Sequence, residues 1–242
     1  MGFKDYLNVY EFSCTLPGTK QEVKYKPLTT GQIKKLLVNE NEENPIVIEN
    51  IFDELISSSV VNEDFNIDDI YVQDRSYLLI EIRKNSKGDQ MSFQFKCPKC
   101  ESQNLNYFDF NSLDIKQKEN EEYGCVEISD DVKIYIDFIT RGEQKESYNL
   151  IETGSLEKIR NDMSINSLAA TIKKIESPDG IEEIDIKDKL WIVDSLTIDN
   201  LEKMKKWFDE NNFGIDMEIN MTCNNCGHSE KRSDIEFDSN FF

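Results

Sequence analysis

At 242 residues the chain is long enough for one large domain or two small ones, each able to bury a core. Its residues are 38% hydrophobic and 31% charged, and no run approaches the ~18 apolar residues that a membrane span needs. Asp and Glu number 48 against 28 Lys and Arg, a formal charge of −20, and a field of that sign repels phosphate, which argues against nucleic acid as a partner.

The chain opens with a hairpin: alternation over residues 6–15 predicts a strand, Leu16-Pro17-Gly18-Thr19 a turn, and residues 22–26 a second strand. Thr29 or Thr30 then starts a helix with Ile33, Leu36 and Leu37 on its apolar stripe. A polar break over 39–44 precedes Pro45, suited to the first turn of a second helix, which carries Ile48, Ile51, Phe52, Leu55 and Ile56 at three-and-four spacing. Asp68 or Asp69 caps a third helix, with Tyr71, Arg75, Leu78, Leu79 and Ile82 on one side and its end near Gly88. A strand from Met91 leads into Cys97-Pro-Lys-Cys100, and a short strand over 105–110 leads out.

Residues 116–122 are charged and poor in apolar side chains, the best candidate for a boundary. Beyond them, 125–128 and 132–139 form a hairpin across Asp130-Asp131, and 143–160 has helical composition interrupted at Gly154. Residues 166–176 and 181–186 flank the turn signal Ser177-Pro-Asp-Gly180 and read as a second hairpin. Two helices follow, 187–196 and then 199–211, the latter capped by Asp199 and burying Leu201, Met204, Trp207 and Phe208. Residues 213–216 lead into Met217 and the second cysteine pair, Cys223-Asn-Asn-Cys226, with a strand over 234–237 after it.

The two cysteine stretches match: in each, a Met sits six residues before the first Cys and an apolar/polar alternation joins them. Each is half of a zinc ribbon. Two Cys-x-x-Cys knuckles supply Cys97, Cys100, Cys223 and Cys226, the four thiolates of a closed tetrahedral Zn²⁺ site. Between Cys100 and Cys223 lie 122 residues, yet lengthening a loop from ~18 residues to that length costs only roughly 1.7 kcal/mol. A structural zinc supplies about 10–16 kcal/mol, enough to clip the two segments together. The competing readings are a pair of disulfides and a redox Cys-x-x-Cys. The first residues carry no signal-peptide core, so a reducing compartment is expected, and a redox motif leaves one pair idle. Cys14 and Cys125 read as small buried hydrophobes. His228 follows Cys226 too closely for a ligand and reads as a loop residue.

The order of elements is similar on both sides of the boundary, including a Thr-Gly pair near a helix in each (Thr30-Gly31 and Thr153-Gly154). The expected fold is therefore α+β: hairpins and short helices in two similar halves joined by a split four-cysteine zinc ribbon. Its parts are 1–115, ending in the first knuckle, a linker over 116–123, and 124–242, ending in the second. One ribbon with a large unrelated insertion is the alternative.

No catalytic motif is present: one His, no phosphate loop, no nucleophile elbow and no His-Glu-x-x-His. Acid pairs such as Asp68-Asp69 and Asp130-Asp131 read as caps and turns. Four cysteines close a zinc site to bound water, so no enzyme is expected. The terminal Phe241 and Phe242 either pack on their own domain or dock into a neighbouring subunit.

The segments Tyr10-Glu-Phe-Ser-Cys-Thr-Leu-Pro-Gly18, Lys26-Pro-Leu-Thr-Thr-Gly31, Tyr77-Leu-Leu-Ile-Glu-Ile-Arg83 and Phe95-Lys-Cys-Pro-Lys-Cys100 resemble the T4-type bacteriophage baseplate hub proteins, and Cys223-Asn-Asn-Cys-Gly-His228 resembles the second knuckle of their metal-bearing members. The resemblance implies a structural protein of a contractile-tail baseplate, hub or wedge region, assembled in the host cytoplasm and resident in the virion, with other baseplate or tail proteins as partners. It carries the four cysteines over as structural ligands. A tail-assembly chaperone absent from the mature virion and a zinc-ribbon transcription-type regulator are the alternatives.

Overall fold

The computed structural model of the chain describes residues 10–39, 42–216, 219–232 and 241. Helices and antiparallel hairpins follow one another as the α+β reading expects. The first part runs β1 (Phe12–Thr15), β2 (Glu22–Tyr25), α1 (Thr30–Val38), α2 (Pro45–Ser59), α3 (Val72–Lys87), β3 (Gln90–Lys96) and β4 (Gln103–Asp109). β5 (Ile115–Lys116) leads to β6 (Gly124–Ser129), β7 (Val132–Ile136), α4 (Arg141–Tyr148), α5 (Leu156–Ala170), β8 (Ile172–Ser177), β9 (Gly180–Glu182), α6 (Ile186–Ser195) and α7 (Ile198–Asn211). The chain returns through β10 (Gly214–Ile215), β11 (Ile219–Thr222) and β12 (Ser229–Arg232). Strands β6 to β9 form a four-stranded antiparallel sheet in chain order, while β1–β2, β3–β4 and β11–β12 are separate hairpins and β5 pairs with β10.

Local chemistry sets many of these boundaries. The Asn44 side chain accepts from Ile46 N at 3.0 Å and Pro45 occupies the first helical position of α2. Gly88 ends α3 at φ 109°, where a Cβ would be strained. Thr140 and Glu143 form a capping box on α4, and Thr197 and Asn200 another on α7. Asp199, expected as the cap, is thus inside α7, and the observed cap is Thr197. Likewise Asp68 and Asp69 lie in a 3-10 turn capped by Asn66, and α3 begins three residues later, after Tyr71. The strand expected from residue 166 begins only at Ile172. Ser155 caps Lys158 N at 3.2 Å and starts a helix that runs to Ala170, whose buried small residues Ala169 and Ala170 let it pack closely. Residues 6–9, 217–218 and 234–237 of the expected strands, and the side chains of Leu36 and Leu37, lie outside the described residues.

Among the described residues two hydrophobic clusters form, and they do not follow chain order. The first gathers Leu16, Val23, Phe52, Leu55, Ile56, Leu78, Leu79, Ile82, Phe95 and Phe110, and adds Ile219, Met221, Cys223 and Phe241 from the far end of the chain. The second gathers Val126, Ile134, Ile136, Ile172, Ile192 and Met204 beneath α5, α6 and α7. An aromatic row bridges the clusters: Tyr71 meets Phe213 edge to face at 5.3 Å, and Phe213 meets Phe138 at 4.8 Å. Backbone bonds run beside it, Val72 N to Ile139 O at 3.1 Å and Arg141 N to Ile70 O at 2.8 Å.

Of the two readings of the terminal aromatics, Phe241 follows the first and packs on its own domain. Its ring is 2% exposed and stands edge-on to Phe110 at 5.8 Å and Phe52 at 6.4 Å, while its carbonyl accepts from the buried Arg83 Nε at 3.1 Å. Burying that ring stabilises the first cluster by about 2 kcal/mol, so the chain's own core wins it. Phe242 lies outside the described residues. Cys125, expected inside, is exposed: Val126 beside it points into the second cluster, and strand alternation turns Cys125 to the outer face of the sheet. Cys14 is half-buried and packs against the first cluster. Burial pushes its thiol up to about 12, and nearby Glu81 and Asp74 add to that, so the group behaves as a hydrophobe.

Candidate metal centre

Each knuckle is the turn of a hairpin, and the two turns are built alike. In the first, Cys97 N donates to Ser102 O at 3.0 Å and Glu101 N to Cys97 O at 2.9 Å; in the second, Cys223 N donates to His228 O at 2.8 Å and Gly227 N to Cys223 O at 3.0 Å. The residue four past the leading cysteine is left-handed in both, Glu101 at φ 58° and Gly227 at φ 68°. A Cβ at that conformation costs roughly 1 kcal/mol. Gly227→Ala is therefore expected to lower stability by about 1 kcal/mol, and Glu101→Gly to leave it unchanged or raise it, in urea titration. Equal destabilisation by both would contradict the shared geometry.

The strands of the two hairpins aim all four sulfurs at one point. The Sγ atoms of Cys97, Cys100, Cys223 and Cys226 lie within 4.8 Å of one another. Cys97 and Cys226 stand 3.7 Å apart, Cys100 and Cys223 3.6 Å. A disulfide needs about 2.05 Å, so the thiols are free. A tetrahedral zinc with bonds of about 2.3 Å separates its sulfurs by about 3.8 Å, so the donor set and its spacing fit that ion. Cys97 and Cys223 are buried, Cys100 half-buried and Cys226 exposed, which leaves one side of the centre facing water.

Hydrogen bonding at the centre is uneven. The Ser102 hydroxyl lies 3.1 Å from Cys100 Sγ and 3.2 Å from Cys223 Sγ. Its hydrogen bond is the main cause that brings the Cys223 thiol down to about 5, and it lowers Cys100 as well. At Cys226 a hydrogen bond from the His228 backbone favours the thiolate, but desolvation and the neighbouring sulfurs outweigh it and push the thiol up to about 12. Four sulfurs this close cannot all carry negative charge without a cation among them, and a dication removes the conflict. The His228 ring is 3.8 Å from Glu230 and stands outside the sulfur cluster.

Sequence patterns missed a second polar centre, where α2, α3 and α4 meet. Asp53, 5% exposed, accepts from Arg75 Nε at 2.5 Å, Arg141 Nε at 2.9 Å and Lys145 Nζ at 3.1 Å. Glu49 pairs with Arg75 at 2.8 Å and Asp68 with Lys145 at 2.5 Å, so positive and negative charges alternate. Burial pushes the Asp53 carboxyl up, but the Arg75 and Arg141 guanidiniums override it and hold the group below its ordinary value. Asp53, Arg75 and Arg141 are buried, Glu49, Lys145 and Asp68 lie at the rim, and the charges are paired within the chain itself, which makes the group a structural ion cluster. The sequence signal was Arg75 on the otherwise apolar face of α3, whereas α4, which carries Arg141, has no apolar stripe to mark it.

Fold and site together define an α+β protein whose distant hairpins meet at a four-sulfur centre. The chain belongs to the T4 bacteriophage base plate protein family, whose model matches residues 8–242. That membership makes it a structural component of a phage tail baseplate, in contact with other tail proteins. No curated protein and no solved structure matches it. No helix among the described residues is long and apolar enough to cross a membrane.

Proposed function

We propose that the chain is a non-enzymatic structural protein of the baseplate's hub or wedge region, fastened by a single Zn²⁺ on Cys97, Cys100, Cys223 and Cys226. The observation that carries this reading is the meeting of four sulfurs within 4.8 Å from cysteine pairs separated by 122 residues. Bound there, zinc would act only as a crosslink, since four thiolates leave no position for water or substrate. The linker over 116–123 then divides the chain into 1–115 and 124–242. Because Ile219, Met221, Cys223 and Phe241 enter the first core, the end of the second part acts as a strap across the first.

The charge pattern argues against the transcription-type reading. Lys96 beside the first knuckle pairs with Glu101 at 3.1 Å, and the whole chain carries −20, or about −22 with a zinc tetrathiolate. Residence in the baseplate is tested by mass spectrometry of purified virions and of isolated hub and wedge sub-assemblies. The chain is expected in the virions and in one of the two sub-assemblies. Its presence in assembly intermediates but not in virions would replace this reading with an assembly chaperone, and a gel shift at low salt would revive the regulator.

A further inference from the structure

The centre has a built support that none of its four ligands supplies. Asn104, on β4 seven residues past Cys97, is 5% exposed and reaches across the gap between the hairpins. Its Oδ1 accepts from Asn224 N, inside the second knuckle, at 2.8 Å. A backbone N–H can only donate, so this contact fixes which way the Asn104 amide points. Its Nδ2 is thereby turned back to the first knuckle, donating to Ser102 O at 2.9 Å and to Ser102 Oγ at 3.3 Å. The hydroxyl, with a lone pair taken by Nδ2, keeps its one proton for sulfur, and the two sulfurs in reach belong to different knuckles, Cys100 at 3.1 Å and Cys223 at 3.2 Å.

On the reading that these cysteines hold zinc, we infer that Asn104 and Ser102 are positioning residues for the metal. Asn104 docks the second knuckle on the first through Asn224, and through Ser102 it directs a hydrogen bond at the sulfurs. A neighbouring contact works in the same sense: Asn225 Nδ2 lies 3.6 Å from Cys100 Sγ. Apart from that contact the arrangement is one-sided. The position in the second knuckle that corresponds to Ser102 is His228, which shares the backbone bond from the leading cysteine and turns its ring to Glu230 instead. The ligand cage is thus pre-set from the β3–β4 hairpin, and the later hairpin is captured onto it. Outer partners of this kind change metal affinity by about 10–100-fold when removed.

The test uses the full-length zinc protein and a colorimetric zinc chelator in excess, following the rate of metal transfer. Asn104→Ala is expected to release zinc roughly 10–100-fold faster than the parent. Ser102→Ala should also release it faster, and Ser102→Thr, which keeps the hydroxyl, should restore the parental rate. The visible bands of the cobalt-substituted Asn104→Ala protein should shift, because its sulfur cage is no longer held in one geometry. Ser92, exposed on the outer face of the same hairpin, is the control, and Ser92→Ala should match the parent. Parental release rates and unchanged cobalt spectra in both Asn104→Ala and Ser102→Ala would overturn the inference while leaving a zinc site in place. A parent that holds no zinc would instead remove the metal reading itself.

Discussion

Cys97→Ser is expected to cost the protein about 5 kcal/mol and lower its melting temperature by roughly 10–20 °C. Cys97 is wholly buried in the first cluster, and its sulfur stands 3.7 Å from Cys226. Serine supplies no thiolate, so a zinc held by three sulfurs binds far more weakly and the later hairpin loses its anchor. With it go the packing of Ile219 and Met221 on the first core and the seat of Phe241. The second cluster, under α5 to α7, contains none of these residues. Melting should therefore change from one transition to a broadened or split one. Chelator treatment of the parent should reproduce the same profile. A Cys97→Ser protein that melts like the parent would show that the centre fastens nothing.

Asp53→Asn is expected to destabilise by about 3–5 kcal/mol through a different route. The substitution keeps the shape but leaves Arg75 and Arg141, both almost entirely buried, without the carboxylate that neutralises them. Arg75 retains Glu49, whereas Arg141 is left with Gln144 and Asn50. Protonation should act in the same direction. A carboxyl held below its ordinary value in the folded state stabilises fully above the unfolded pKa of about 4, and that contribution is lost as pH falls through the folded value. Urea melts at pH 7 and pH 3 should therefore show the parent losing more stability on acidification than Asp53→Asn does. Equal slopes with pH would mean that Asp53 does not hold the cluster together.

What could be read from the residues alone was what local chemistry dictates. Asn44-Pro45 announces α2, Gly88 ends α3, and the Ser177–Gly180 turn separates β8 from β9. The cysteine cluster was legible for the same reason, since two-residue cysteine spacing has few other uses. Short apolar runs were not legible. Residues 166–170 carry too little periodicity to separate the last turn of a helix from a strand, and the packing of Ala169 and Ala170 decides it. Nor could side-chain pairing at a distance be seen. Asp53 meets Arg75 across 22 positions and Arg141 across 88, and in a chain with 48 acids no single one is marked out. Phe241 is a similar case: its ring could serve a neighbour or its own core, and the choice rests on the pocket made by Phe52, Phe110 and Arg83.

Zinc-edge X-ray absorption on protein purified without chelator, with the metal counted per chain, puts the fastening to its most direct trial. One zinc per chain, surrounded by four sulfurs at about 2.3 Å, is the expected result. A chain that retains no zinc, or a zinc whose first shell includes oxygen or nitrogen, would contradict it.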